Sequence, residues 1–171
     1  MQVLLHPSRE EPYIEDFDNS SKELEGFVLK KDIGFTPPEE IVERRLALLS
    51  SVKGYEYVTW ADPDDILIPE EYNKIASYLR DNPLADFVFI REQEVDLRGV
   101  AAQPIEVKYC CKAVISTRLL NRVVAHFKGR FVSDGHLVKS CESMAKHPLR
   151  WPTTAYLHRQ HPLNMSTSRG V

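Results

Sequence analysis

Apolar residues recur with two different spacings along the chain, and each spacing predicts one kind of element. Short runs rich in apolar and β-branched residues predict strands at 2–6, 26–32 and 55–61. Apolar residues three or four positions apart predict helices over 39–52 and from Pro69 onward. The first half of the chain therefore has the strand, helix, strand, helix order of an α/β domain.

The second half contains more predicted strands and then two helices. In chain order these are extended segments at 86–100 and 105–116 around a loop at Gly99, helical faces at 120–127 and 137–144, and a last extended segment at 149–161. Residues 7–23 are polar and contain prolines, which predicts a loop. We expect a single α/β domain with a mostly parallel, mixed sheet flanked by helices.

Composition and charge narrow the class of protein. The chain has 171 residues, of which 43% are hydrophobic, and this suits one globular domain. A formal charge of -3 argues against a protein that coats nucleic acid or anionic membranes by bulk electrostatics. The apolar run 3–5 is too short for a secretion signal, and no stretch approaches the roughly 18 apolar residues of a membrane span. We expect a soluble, cytoplasmic protein with no transmembrane segment.

The three cysteines predict structural thiols. Cys110, Cys111 and Cys141 are odd in number and contain no pair with the spacing of a zinc site or a redox dithiol. We expect them to stay reduced.

Three acids follow a predicted central strand. Asp62, Asp64 and Asp65 come directly after 55–61 and before the helix that starts near Pro69. Ligands of α/β sheets sit outside the carboxyl ends of the strands, so these acids are well placed for a site. Oxygen ligands at such a turn suit Mg²⁺ or Mn²⁺. A helix cap or a turn start is the structural alternative for the same acids.

The surrounding stretch KGYEYVTWADPDDILIPEEY resembles the centre of the GT-A glycosyltransferases, particularly the large family-2 group, in which a strand leads to an Asp-x-Asp-Asp motif. Further similar pieces follow the family's order and cover most of the chain; they are HPSREEP, EEIVERRLALLSSVKG, DFVFIREQEVDLRGV, FVSDGHLVKSC and YLHRQHPLNMS. The resemblance implies one compact GT-A-like domain over 1–171. Its nucleotide-sugar-binding half would span about 1–95, and its acceptor and catalytic half about 96–171.

The resemblance also implies an activity. The chain would move a sugar from a nucleoside diphosphate sugar, UDP-linked, to an acceptor hydroxyl, with Mn²⁺ or Mg²⁺ and with inversion of the anomeric centre. The acceptor stays open among a glycan, a lipid, a protein and a modified nucleic-acid base. Asp134 matches the family's general base, and a carboxylate within hydrogen-bond reach of the hydroxyl suits that task. An ordinary helix N-cap is the alternative role for Asp134.

Other site residues are carried over from the matching positions. The metal ligands would be Asp62, Asp64 and His161, with Asp65 orienting the loop. The nucleotide-sugar-binding residues would be Pro7, Ser8, Arg9, Asp32, Arg45, Asp62 and Arg159. His6 would line the base pocket with Arg9, and His136 is either part of the site or exposed.

The sequence departs from the family pattern in places. The second predicted strand offers only Asp32 where the family has an Asp-Asp-Gly-Ser type turn, Ser133 stands before Asp134 in place of Glu, and Arg44 with Arg45 replaces an Arg-Asn pair. These changes leave the nucleotide and the acceptor class open. A GT-A-like domain that has lost catalysis and serves in binding or assembly is one alternative.

Two enzyme classes and one acceptor class are further alternatives. A nucleotidyltransferase would need a Gly-rich basic loop near the N-terminus, and HPSREEP has no glycine. A haloacid dehalogenase would need Thr or Val where Ile66 stands. A polynucleotide acceptor would need a local basic patch, for which the candidates are Arg118, Arg122, Lys128 and Arg130; a solvated helix face explains these four equally well.

Overall fold

The fold is described by a computed structural model that covers residues 2–7, 14–32, 40–96, 98–101, 107–108 and 111–160. The strands are β1 (Gln2–Pro7), β2 (Phe27–Asp32), β3 (Tyr57–Trp60), β4 (Ile66–Leu67), β5 (Phe87–Val95), β6 (Val107–Lys108), β7 (Ala113–Ser116) and β8 (Pro148–Arg159). The helices are α1 (Ile14–Lys22), α2 (Ile41–Ser51), α3 (Pro69–Asp81), α4 (Thr117–Phe127) and α5 (Asp134–Met144). The α/β class is confirmed.

All the strands form one sheet in the order β2-β1-β3-β7-β5-β8-β4, with β6 paired to β5. Parallel pairs join β1 to β2 and β3, and β5 to β8. The sheet is more evenly mixed than the sequence predicts, because β7 lies between β3 and β5 and runs antiparallel to both. As a result, the carboxyl ends of β1, β2, β3, β5 and β8 meet at one edge of the sheet, and β7 begins at that same edge.

The side chains of the sheet alternate between two apolar layers, as the period of a strand requires. On β3, Val58 and Trp60 join a cluster with α2, α4 and α5, whereas Tyr57 and Ala61 at and after the strand join a cluster with α1 and α3. Helices therefore cover both faces of the sheet. This burial on both sides explains why every residue of the central strands β3 and β7 is buried.

One helix lies where the sequence predicts a loop. α1 falls within the polar segment 7–23, and its Phe17 is fully buried. Glu15 and Asp16 occupy the first turn, where negative charge favours a helix, and the Ser20 hydroxyl donates to the Phe17 carbonyl. A single apolar anchor gives no helical periodicity, so the prediction of a loop is wrong for Ile14–Lys22. The two-residue strand β4 is likewise too short to leave a pattern.

The described cysteines agree with the expectation of free thiols. Cys111 and Cys141 are not in disulfides, and burial raises the pKa of the Cys141 thiol to about 12. Cys110 lies outside the described residues. In the described ranges, no helix is both long enough and apolar enough to cross a membrane.

Candidate functional site

The candidate site forms at the edge of the sheet where the parallel strands end. In the register of β1, Pro7 lies opposite Asp32 of β2, and Leu5 lies opposite Trp60 of β3. Asp62 follows Trp60 by two residues. The backbones of Pro7 and Asp32, both predicted to bind the nucleotide sugar, therefore lie at the same edge as the predicted Asp-x-Asp motif.

The acidic segment after β3 is a tight turn that β8 holds in place. The Asp65 amide donates to the Asp62 carbonyl at 3.2 Å, and β4 then pairs with β8. The Tyr156 hydroxyl accepts from the Asp62 amide at 3.0 Å and donates to Asp65 Oδ2 at 2.6 Å. Asp65 Oδ1 accepts from the Arg159 amide at 2.9 Å. Asp65 thus orients the turn, and it does not cap α3, which begins after Ile68 without a side-chain cap.

The carboxylate of Asp62 lies between two buried cations. One oxygen accepts from Arg45 Nη2 on α2 at 2.5 Å, and the other accepts from Lys112 Nζ at 2.5 Å. The remaining Nη1 of Arg45 donates to Asp134 Oδ2. One guanidinium therefore bridges the first acid of the predicted Asp-x-Asp motif and the predicted general base, which lie 72 residues apart in the chain (134 minus 62).

The charges of this cluster keep one another ionised. Burial alone would raise the pKa of Asp62, but the positive charges of Lys112 and Arg45 outweigh it and hold that pKa well below its usual range. Burial would lower the pKa of Lys112, and the charge of Asp62 outweighs it and raises that pKa. The ring of Tyr156 lies 5.1 Å below the Lys112 ammonium, and the ring of Trp60 lies 5.8 Å from the Arg45 guanidinium.

Asp134 is the first residue of α5, and Ser133 is its cap. The Ser133 Oγ accepts from the His136 amide at 3.1 Å, so Ser133 takes the capping role that the sequence offered as an alternative for Asp134. The Asp134 side chain is thereby available to contact Arg45. Its Oδ1 is buried and accepts no hydrogen bond from the described residues.

Comparisons with solved structures identify the fold. The chain superposes on residues 1–349 of S. aureus TarS in complex with UDP-GlcNAc with a TM-score of 0.69 at 16% identity, covering 99% of this chain and 61% of that one. A glycosyltransferase involved in the glycosylation of the major capsid of PBCV-1 gives a TM-score of 0.55 at 12% identity, with 98% and 97% covered. The chain has a GT-A-like glycosyltransferase fold.

The sequence identity between this chain and the structures that share its fold is low. A second structure of TarS 1–349 gives a TM-score of 0.66 at 17% identity, and the chain spans 60% of it, so this chain corresponds to less than two thirds of the TarS structures. No protein-family model matches the chain, and no curated protein sequence matches it.

Lys112 also lies at this edge of the sheet, and the sequence did not predict it as a site residue. It precedes β7 and is 3% exposed, and its amide and that of Cys111 donate to Glu92 Oε1 on β5. In the sequence, a lysine directly before the apolar run AVIS is typical of a solvated strand end. Only the antiparallel entry of β7 into the GT-A-like sheet brings it to Asp62, fifty residues earlier in the chain.

Arg159 and His158 lie at the end of β8. The Arg159 guanidinium donates to Asp16 of α1 at 2.7 Å and is almost completely buried, so in this arrangement it links β8 to α1. Burial acts against a charged His158, but the hydrogen bond and the charge of Asp65 outweigh it and raise the pKa of His158 to about 9. Binding of the donor by Arg159 stays a prediction.

Several predicted residues are not part of the described site. Ser8, Arg9 and His161 lie outside the described residues, and His6 is described only as backbone in β1. The ring of His136 lies 5.5 Å from that of Phe131 and 6.1 Å from that of Phe127, and its Nδ1 accepts from the Val132 amide. We assign His136 a packing role.

Two residues of the predicted basic patch, Arg118 and Arg122, lie away from the acids. Arg118 and Arg122 are on α4, which begins where β7 ends, at the edge of the sheet opposite Asp62. Together with Lys146 and His147 they line a cavity of about 300 Å³. Arg122 also donates to the Met144 carbonyl at the end of α5.

Proposed function

We propose that the chain transfers a sugar from a nucleoside diphosphate sugar, UDP-linked, to an acceptor hydroxyl. The observation that carries the proposal is the Arg45 bridge between Asp62 and Asp134 at the carboxyl edge of a GT-A-like sheet. Ligands of open α/β sheets bind at that edge. The complex of a structural neighbour with UDP-GlcNAc supports a UDP-sugar as the donor.

The described residues suit a single displacement with Asp134 as the base. The acceptor oxygen attacks the anomeric carbon, the bond from that carbon to the diphosphate breaks, and Asp134 takes the hydroxyl proton. Arg45 orients the Asp134 carboxylate by binding Oδ2, and the Asp134 side chain is 18% exposed. Because no enzyme nucleophile intervenes, we propose that the anomeric centre inverts.

Asp62 and Asp64 are the residues that would hold a divalent cation at this site. Carboxylate oxygens of Asp62 and Asp64 suit Mn²⁺ or Mg²⁺, which would supply positive charge to the leaving diphosphate. In the described ranges no group of three or more His, Cys, Asp or Glu side chains is arranged to hold a metal. Both oxygens of Asp62 already contact cations, so a metal ion bound there would meet the repulsion of Lys112 and Arg45.

Replacing the proposed base tests the proposal. In Asp134→Asn, we expect turnover to fall by about 10² or more, the usual scale for loss of a general base. UDP release from UDP-GlcNAc and UDP-glucose in Mn²⁺ measures turnover, with water as the acceptor, and calorimetry measures donor affinity. We expect the variant still to bind the donor, because Asp62 keeps both of its cations.

The matched control is Asp81→Asn, which removes an exposed carboxylate at the end of α3. Its turnover should equal that of the wild type. If Asp134→Asn turned over as fast as the wild type, a residue other than Asp134 would be the general base. Donor binding by the wild type with no turnover would favour the alternative of a GT-A-like binding domain.

A further inference from the structure

Two positively charged side chains already contact the Asp62 carboxylate. A site that binds a diphosphate requires such positive charge. Lys112 and Arg45 each contact one of the Asp62 oxygens at 2.5 Å, and both side chains are almost fully buried. With Asp134 on the other side of Arg45, the cluster has two negative and two positive groups. Within these four side chains, each carboxylate therefore contacts a positive side chain before any metal ion binds.

The position of Lys112 is set by three elements. Its ammonium contacts Asp62 after β3 and lies over the Tyr156 ring of β8, and its backbone amide donates to Glu92 of β5. A lysine is flexible and strongly hydrated, so its burial needs such specific partners. A divalent cation that approached Asp62 would meet the repulsion of this fixed ammonium.

We propose that Lys112 is a built-in counter-ion of Asp62 that takes the place of a divalent cation, so that a nucleoside diphosphate binds this chain without a metal. The inference rests on the proposed function, because it concerns the donor of that same site. Lys112 and Arg45 place two positive charges at the edge where the diphosphate would bind, and because both side chains are almost fully buried, solvent screens these charges only weakly. A metal ion would then compete with the Lys112 ammonium for the Asp62 carboxylate.

The test measures binding, independently of turnover. UDP is titrated calorimetrically into the wild type in EDTA and in Mn²⁺, and we expect the two dissociation constants to agree within about tenfold. Lys112→Met is expected to weaken UDP binding in EDTA by about tenfold or more, because it removes a positive charge from the edge where the diphosphate would bind and leaves Asp62 with Arg45 alone. Lys112→Arg keeps the charge and should retain binding in EDTA.

A second readout separates competition from a merely structural role. Electron paramagnetic resonance of Mn²⁺ should give a higher Mn²⁺ affinity for Lys112→Met than for the wild type, because the competing ammonium is gone. Lys139→Met removes an exposed lysine from α5 and is the matched control, with unchanged affinities expected. Circular dichroism establishes that each variant is folded.

The outcomes distinguish the inference from the proposed function. UDP binding by the wild type in Mn²⁺ but not in EDTA would overturn the inference and leave the proposed function standing. Equal binding of UDP in EDTA by Lys112→Met and the wild type would also overturn it. Absence of UDP binding in both conditions would overturn the proposed function, and the inference with it.

Discussion

At the scale of single residues, Arg45 connects the parts of the candidate site. The sequence predicts it as a nucleotide-sugar ligand, and the structure adds contacts to Asp62 and Asp134. A guanidinium has donors in a planar fork and can hold two carboxylates at once, which an ammonium cannot do with the same geometry. Arg45 is 3% exposed, so the two ion pairs are only weakly screened by solvent.

Removal of Arg45 should destabilise the protein. In Arg45→Met the Asp134 carboxylate loses its ion-pair partner and Asp62 keeps only Lys112, and breaking a buried pair in this way costs about 3 kcal/mol or more. Urea unfolding at neutral pH measures the free energy of unfolding. Arg80→Met, at an exposed position on α3, is the control and should change it by less than about 0.5 kcal/mol. Equal stability of the two variants would contradict a structural role for the bridge.

At the scale of elements, Glu71 is one of the contacts that attach α3 to β8. Glu71 lies in the first turn of α3, and its carboxylate accepts from Trp151 Nε1 at 2.9 Å and from the Thr153 hydroxyl. Lys74 on the next turn contacts the other oxygen. Because β8 also braces the acidic turn through Tyr156, this attachment stabilises the strand that supports the site.

The Glu71 contacts predict a pH-dependent stability. Burial would raise the pKa of Glu71, but hydrogen bonds from Lys74, Thr153 and Trp151 outweigh it and lower that pKa from 4.5 to about 2. The stabilisation is therefore fully present above about pH 4.5 and is lost as the pH falls toward 2. Between pH 7 and pH 3, we expect the free energy of unfolding to fall by about 1–2 kcal/mol more in the wild type than in Glu71→Gln.

Urea unfolding at both pH values checks this expectation. Glu70→Gln is the matched control, because Glu70 is the neighbouring residue in the same turn and its side chain is 77% exposed. Its pH dependence should follow the wild type. If Glu71→Gln lost stability toward pH 3 as steeply as the wild type, Glu71 would not be the titrating group.

At the scale of the whole molecule, the candidate site joins both parts of the chain. Asp62 and Arg45 come from residues before 95, and Lys112 and Asp134 come from residues after 96. The division into a donor half of about 1–95 and an acceptor half of about 96–171 stays a prediction. Contacts between the two parts at one cluster imply that a ligand bound there stabilises the fold as a unit.

UDP should therefore raise the melting temperature of the whole chain. At a UDP concentration 100 times its dissociation constant, the stabilisation is about 2.7 kcal/mol. For a chain of this size that corresponds to a rise of roughly 5–10 °C. Scanning calorimetry with UDP and with uridine measures the effect. A rise with UDP no larger than that with uridine would show that the diphosphate does not contact the Lys112 and Arg45 cations.

The sequence predicts well those helices and strands in which the pattern of apolar residues indicates which residues are buried. The helix at α3 is one example, because its apolar residues recur with the helical period. The strand at β3 is another, because it is a short run of aromatic and β-branched residues. α1 was missed because Phe17 is its single fully buried anchor, and β4 because two residues carry no period. Local periodicity thus determines most of the described elements, and short or weakly anchored elements depend on their neighbours.

The sequence by itself determined the α/β class and the acidic segment after the central strand, since residue patterns are local properties of the chain. The resemblance to the GT-A glycosyltransferases implied Asp134 as the candidate base. The tertiary structure alone decided which cations meet those acids. Lys112 reaches Asp62 because β7 runs antiparallel to β3, and Arg45 bridges Asp62 and Asp134 because α2 packs on the face of the sheet that α5 also covers. Contacts between residues 50 or more positions apart depend on strand pairing and helix packing, and no spacing in the sequence encodes them directly.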